Sequence, residues 1–263
     1  MTNRKKLMVA AALAVAGLSL AACGGASDAG SADSGPLKFG TEGTYSTFTF
    51  HDKAAGKKLT GYDVEVAEEV AQKIGRKAEF SENTFDAIFA GLEAKRYDVV
   101  ANQITPTPER QAKYAFSQPY TVSTGVVVTR ADDTSVTTVA DVKGKKSAQS
   151  ATSNFAQQAK DAGAKVEAVE GFSQAVTLLK QKRVDITIND NLAVLDYLKS
   201  SGDAGVKIAT KIGEPSVSAF AFRKDSPLAP QFDQALKDLT ADGTLAKISQ
   251  KYFGEDVSKP AAS

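Results

Sequence analysis

The chain runs to 263 residues and carries 32 Lys and Arg against 31 Asp and Glu, a formal net charge of +1 at pH 7. Mixed signs in near balance build no basic field, which argues against nucleic acid as a partner. One cysteine rules out a disulfide within the molecule, and one histidine, His51, has no second histidine or cysteine with which to build a metal site.

The amino terminus opens with Arg4, Lys5 and Lys6 and continues as an apolar run over 7–20 into small residues. Such a run is short for a bilayer and is flanked as an export signal is. Leu20-Ala21-Ala22-Cys23 resembles the lipobox of bacterial lipoproteins, in which the signal is removed and the cysteine carries the lipid. On that reading residues 1–22 are the signal and Cys23 is the membrane anchor; a small apolar residue beside a cleavage site is the alternative. Residues 23–35 are mostly Gly, Ala, Ser and Asp, cannot form a core, and read as a flexible tether. Folding starts near Pro36 and leaves roughly 225 residues, enough for two modest lobes or one large domain. No further segment is a candidate to cross a membrane.

A strand over 37–40 opens into the polar loop Thr41-Glu42-Gly43-Thr44-Tyr45. His51, Asp52 and Lys53 read as a polar loop with a surface imidazole, and 57–61 as a turn. Asp63 is placed to cap a helix over 64–74, whose Val66, Val70 and Ile74 share one face and which Gly75 ends. A strand over 78–80, a helix over 85–94 and a strand over 97–101 complete a βαβ-like run. A strand over 125–130, with three consecutive valines, leads into a second such run. It comprises 142–144, a strand near 147–150, a helix opening near Ser153, a strand over 166–169, a helix over 172–182, a strand over 184–188 and a helix over 191–199. An apolar extended run over 217–222 and two helices, 228–239 and 245–252, divided by Asp242-Gly243, close the chain.

The two runs repeat each other. Phe85, Leu92, Lys95, Arg96, Asp98 and Asn102 recur at a constant offset as Phe172, Leu179, Lys182, Arg183, Asp185 and Asn189, with no gap. Each copy reads as a helix, a charged turn and a buried strand, which puts Gln103 and Asp190 at equivalent strand ends. Open α/β sheets bind ligands beyond those ends, so two facing units line one crevice from both sides. Convergence of common α/β units on one pattern is the competing account. The strands at 125–130 and 217–222 bracket the second lobe and form a two-strand hinge. The expected division is 36–127 with 222–258 as lobe 1 and 128–221 as lobe 2. A single continuous sheet without bending is the alternative.

Thr107-Pro108-Glu109-Arg110 is a helix start, threonine at the N-cap and proline at the first helical position. A cation in that first turn is unfavourable unless an anion joins it, so Arg110 is a candidate grip on a ligand carboxylate. Thr105 can add its hydroxyl and N–H. An exposed arginine paired with Glu109 or Asp98 is the alternative. Asp190 is the complementary charge, able to accept from an ammonium, to cap the helix that follows, or both. Tyr45, Phe48 and Phe85 can bury a ligand side chain, although each residue type is found in cores as readily. No Gly-x-Ser-x-Gly elbow, phosphate loop or Gly-x-Gly-x-x-Gly fingerprint is present, and no carboxylate pair stands out for acid–base work.

Several segments resemble the family of bacterial extracellular solute-binding proteins that deliver polar amino acids to ABC transporters. They are Gly40-Thr41-Glu42-Gly43-Thr44-Tyr45, Gly61-Tyr62-Asp63-Val64, Gly91-Leu92-Glu93-Ala94-Lys95-Arg96-Tyr97-Asp98, Thr105 to Arg110, Phe116-Ser117-Gln118-Pro119-Tyr120, Asp242-Gly243-Thr244 and Lys251-Tyr252-Phe253. The resemblance implies an α/β, two-lobed periplasmic-binding-protein-like (type II) fold, no enzymatic activity and no cofactor. It implies that Arg110 and Thr105 hold the ligand's α-carboxylate with backbone donors of the second lobe, and that Asp190 and the backbone carbonyl of Gln103 meet its α-ammonium. Tyr45 and Phe85 match the positions that sandwich the side chain, and Ser153 and Asn154 fall in the second-lobe donor loop. Asn102-Gln103-Ile104-Thr105 is similar to the cystine-binding branch, which carries tryptophan where Phe85 stands; Ala151-Thr152-Ser153-Asn154-Phe155 also replaces a Gly-Thr pattern. The expectation is a monomeric lipoprotein that captures cystine and delivers it to a permease. Glutamine, glutamate or another polar amino acid is the alternative ligand, and a dehydratase or an amino-acid sensor on the same scaffold the alternative role.

Overall fold

The computed structural model describes residues 35–259 except Asp203. The expected signal segment, Cys23 and all but the last residue of the tether lie outside the described residues.

The first half begins with β1 (Leu37–Thr41) and a small antiparallel sheet of β2 (Thr44–Tyr45), β3 (Thr49–Asp52) and β4 (Lys58–Thr60). It continues through α1 (Tyr62–Lys73), β5 (Ala78–Glu82), α2 (Phe85–Glu93), β6 (Val99–Ile104), α3 (Pro108–Lys113) and β7 (Tyr114–Phe116). After β8 (Thr121–Arg130) and a 3-10 turn at Val139–Val142 comes the second half. Its elements are β9 (Lys146–Gln149), α4 (Asn154–Asp161), β10 (Lys165–Ala168), α5 (Phe172–Lys180), β11 (Ile186–Asp190) and α6 (Asn191–Ser201). The long strand β12 (Val206–Arg223) leads back to α7 (Ala229–Ala241) and α8 (Thr244–Phe253).

The main strand order is β10-β9-β11-β8-β12-β6-β1-β5. Read outward from the middle, each half has the same plan. Parallel β6, β1 and β5 lie beside antiparallel β12, as parallel β11, β9 and β10 lie beside antiparallel β8. Val126, Val127 and Val128 are all buried, Val127 in one cluster and its two neighbours in another. Consecutive burial of this kind requires a sheet covered on both faces. In the first half Phe39, Phe220 and Phe222 pack against Phe232 of α7 at centroid distances of 4.9–6.1 Å.

Strands β8 and β12 tie the halves together. They pair from Arg130 with Val206 to Thr121 with Ser218, with register shifts between Ile208 and Thr210 and between Ile212 and Ser216. Gly125–Val127 pair with Asp190–Ile188 of β11, whereas Ala219 and Ala221 pair with β6. Some expectations shift for identifiable reasons. His51 lies in β3 rather than in a loop, and its ring bonds to Lys57 O at 2.7 Å and to Glu82 at 3.0 Å. Asp63 does not cap α1, because Gly61 is the N-cap and the Asp63 carboxylate turns inward to Gln103. β12 begins at Val206, well before 217, because its mixed and mostly half-buried first part is held in the strand by pairing with β8 from Val206 to Ile212.

The sequence repeat is reproduced bond for bond. Lys95 and Lys182 both take left-handed backbone angles, φ +57° and +60°, just past α2 and α5. Asp98 and Asp185 each accept from the main chain of the first strand of their half, Lys38 and Lys146, at 3.3 and 2.9 Å. Strands β6 and β11 start two residues later than hydrophobicity suggests, because Asp98 and Asp185 are spent on this closure. An arginine from the antiparallel strand then gathers the carbonyls at each corner. Arg223 Nη1 donates to Leu92 O and Tyr97 O at 3.0 and 2.8 Å, and Arg130 Nη1 to Leu179 O and Val184 O at 3.5 and 3.2 Å. Gly40 and Gly91 admit the Tyr97 ring there, since a Cβ on either would lie 2.3 Å from a ring or hydroxyl atom. Arg223→Ala strands two partly buried carbonyls, and a loss of about 1–3 kcal/mol is expected. Urea unfolding should show a lower midpoint with an unchanged slope; an unaltered midpoint would contradict the role.

Candidate functional site

Between the halves lies a cavity of about 50 Å³ whose walls include Glu42, Tyr45, Phe85, Asn102 and Gln103 from the first half and Ser153, Asn154, Phe172 and Asn189 from the second. A second, wider space of about 370 Å³ shares Ser153 and Asn154 and is walled by Arg110, Asp86 and Thr152 among others. These residues sit where the topology demands, at the carboxyl ends of β1, β6, β9 and β11 and at the starts of α2, α4 and α5.

Arg110 is placed by the helix start expected of it. Thr107 caps α3 by accepting from Arg110 N at 3.3 Å, and Pro108 takes the first helical position. The side chain is buried at 9% exposure, with its guanidinium carbon 5.5 Å from the ring centres of both Phe85 and Phe89. Its described hydrogen bonds are to carbonyls, Thr105 O at 3.0 Å and Thr152 O at 3.1 Å, and no described ion pair involves it. Burial pulls its pKa down to about 10. Neither Glu109, which bonds to Lys113, nor Asp98, which bonds to Arg223, supplies the exposed pairing that competed with the ligand reading.

Asp190 caps α6, its Oδ1 accepting from Leu192 N at 2.9 Å while Oδ2 accepts from the Ser123 hydroxyl. Burial raises its pKa to about 6 against these bonds, and it too has no described ionic partner. Glu42 is the charge that the sequence reading left without a role. It lines the cavity, holds Asn102 through Oε2 at 2.6 Å, and is pushed up to about 7 by burial, with the nearby Asp86 charge adding to the rise.

The halves are linked directly. Asp86 accepts from Thr152 N, Thr152 Oγ1 and Ala151 N at 2.9, 2.7 and 3.1 Å. The Tyr45 hydroxyl donates to Asn189 Oδ1 at 2.7 Å, and Ser46 Oγ to Asp196 at 3.0 Å. With Arg110 reaching Thr152, four first-half side chains grip the second half across the cleft.

The structure brings Tyr45, Phe85, Gln103, Ser153 and Asn154 to the cavity and Arg110 to the adjoining space. Thr105 contributes a carbonyl to Arg110, and Ser153 spends its hydroxyl capping α4 at 3.0 Å from Ala156 N. Asp190 lies behind the wall rather than in it, and its neighbour Asn189 forms the surface. Asn102, Asn189 and Phe172 went unrecognised as wall residues, yet the sequence repeat had already marked them. Phe85 with Phe172 and Asn102 with Asn189 are matched positions of the two copies, and all four line this cavity.

An α/β clamp with opposed charges buried in its two halves is the architecture of a solute-binding protein. A model of the family described as bacterial extracellular solute-binding proteins, family 3, matches residues 37–255, and the chain belongs to that family. It is 52% identical over 269 residues to the L-cystine-binding protein TcyA of Bacillus subtilis, covering 97% of this chain and 100% of the relative. The L-cystine solute receptor of Neisseria gonorrhoeae in its unliganded open conformation is 47% identical, with 87% and 97% of the two chains covered and a TM-score of 0.58. An ancestral arginine-binding protein bound to arginine is 39% identical, with 84% and 99% covered and a TM-score of 0.77. The chain thus superposes less well on the receptor whose conformation is named open, and its own halves are bonded across the cleft.

Glu42, Asp63 and Asp190 all bind protons more tightly folded than unfolded, since burial raises Glu42 and Asp63 to about 7 and Asp190 to about 6. Between about pH 4, where free carboxylates titrate, and these values the folded state holds the extra protons, so stability must fall as pH rises. Asp141, lowered to about 2 by hydrogen bonds from Thr137 and Thr138, acts below this window. His51, raised by its bond to Glu82, acts in the same direction at the top of it. Urea midpoints of the unliganded protein should decline from about pH 4 to about pH 7, and Glu42→Gln should flatten the decline. A rising midpoint across that range would show the carboxylates to be ordinary.

Proposed function

We propose that this chain is the extracytoplasmic receptor of an ABC importer, closes on one zwitterionic amino acid, and takes cystine as that ligand. The observation that carries the proposal is Arg110, a buried guanidinium wedged between two aromatic rings with main-chain carbonyls as its described acceptors. A buried cation left so is costly, and a ligand carboxylate bound bidentately resolves the cost. Asp190, buried in the other half without an ionic partner among the described residues, asks for a cation in the same way. One ligand bearing both charges answers both.

Cystine has a second ammonium and a second carboxylate. Glu42 offers an acceptor for that ammonium, and the α4 start at Ser153 and Asn154 offers donors near the carboxylate. The faces of Tyr45 and Phe85 suit the polarisable disulfide between them. The names of the Bacillus and Neisseria relatives support the same ligand. In this reading Thr105 assists Arg110, Gln103 assists Asp190, the protein acts as a monomer, and no reaction is catalysed.

Calorimetry should show saturable cystine binding that Arg110→Ala weakens by at least about 2 kcal/mol, roughly thirtyfold. Unchanged affinity in that variant would refute the carboxylate grip, and turnover of the amino acid would point to a dehydratase instead. Membrane tethering through a lipid on Cys23 belongs to the same proposal. Cys23→Ser should move the protein from the membrane fraction to the medium or periplasm, and retention at the membrane would disprove the anchor.

A further inference from the structure

Gln103, the last residue but one of β6, lies in the left-handed region at φ +49°, a conformation uncommon for a residue with a side chain and unusual inside a strand. Asp63 holds it there. Gln103 N donates to Asp63 Oδ2 at 2.8 Å, and Gln103 Nε2 donates to Asp63 Oδ1 at 2.6 Å and to Thr121 Oγ1 at 3.0 Å. Asp63 is wholly buried in the first turn of α1 and has no described ionic partner.

The direction of the amide follows from chemistry. Nε2 is engaged by both Asp63 Oδ1 and Thr121 Oγ1, so the NH₂ end faces these two residues and the carbonyl end faces away. That oxygen, Gln103 Oε1, is buried without a hydrogen-bond partner among the described residues, and Gln103 lines the cavity. An orphaned acceptor in a fixed amide is a costly arrangement by itself. It is a useful one beside a ligand that brings a donor.

We propose that Asp63 and Thr121 aim the Gln103 side chain so that Oε1 accepts from the ligand's α-ammonium. Asp63 is then a positioning residue and Gln103 the contact that rejects acids lacking the amine. This rests on the zwitterionic ligand proposed above. It adds a side-chain contact to the main-chain carbonyl that the family resemblance implies.

Asp63→Asn tests it with little change of volume. The new Oδ1 can still accept from Gln103 N, but the new NH₂ can only donate, which turns the Gln103 amide over and presents a donor to the ammonium. The probes are cystine and 3,3′-dithiodipropionate, which is cystine without its two ammonium groups. NMR titration should show cystine affinity falling at least about tenfold in Asp63→Asn and in Gln103→Met, with dithiodipropionate affinity not lowered. Equal losses for both probes would reduce Asp63 to a structural part, and no loss for either would overturn the contact. Failure of the parent to bind cystine would instead strike the ligand proposed above. A readout free of ligand covers that case: the Gln103 side-chain NH₂ should exchange slowly with solvent in the parent and rapidly in Asp63→Asn. Rapid exchange in the parent would overturn the positioning role.

Discussion

A charge taken out of water must find a fixed partner, and this protein buries Arg110 in one half and Asp190 in the other without giving either an opposite charge among the described residues. The surrounding structure reduces the cost without removing it. Main-chain carbonyls and two ring faces hold Arg110, and a hydroxyl with a helix start holds Asp190. Such groups stabilise an ion in part, and an ionic partner still gains by binding there. Each half therefore holds one buried charge that its own side chains leave without an ionic partner among the described residues.

Closure has its own fixed contacts. Asp86 reaches the main-chain N–H groups of Ala151 and Thr152, which precede the helix start that would otherwise attract an anion. A side-chain carboxylate thus satisfies donors at the mouth of the second half, and these hydrogen bonds add to an apolar contact in which Leu192 and Ala193 of α6 join the cluster of the first half. The bending falls to β8 and β12, whose register breaks beside Gly213 and Pro215 instead of running as one rigid ladder.

Much of this was legible in the residue pattern, and the failures are informative. The α3 start at Thr107-Pro108 was readable because local chemistry decides it: a hydroxyl cap and a ring that needs no N–H. The clamp was readable from the repeat, because equal spacing of helix, turn and strand forces equal topology. Asp63 misled, since an acid at a helix start is an N-cap by local rules, and only a strand forty residues away reveals that its carboxylate is needed elsewhere. Glu42 and Asp86 carried no local signal at all. Their roles come from what the second half places opposite them, and a linear reading contains no such information. The first part of β12 was missed for a related reason, as its mixed, half-buried residues become a strand only beside β8.

The departures from symmetry are where function resides. The two halves share strand order, corner arginines and left-handed lysines, and they bring matched phenylalanines and asparagines to one cavity. Only one step further along each strand the match ends. Gln103 turns left-handed and ties its amide to Asp63, while Asp190 stays extended and starts a helix. One strand end thereby becomes a neutral acceptor held from behind, and the other an anion stabilised by a helix start. Arg110 likewise has no counterpart in the second half, where the same offset falls on Tyr197, so the duplicated scaffold brings different chemistry to its two facing strand ends.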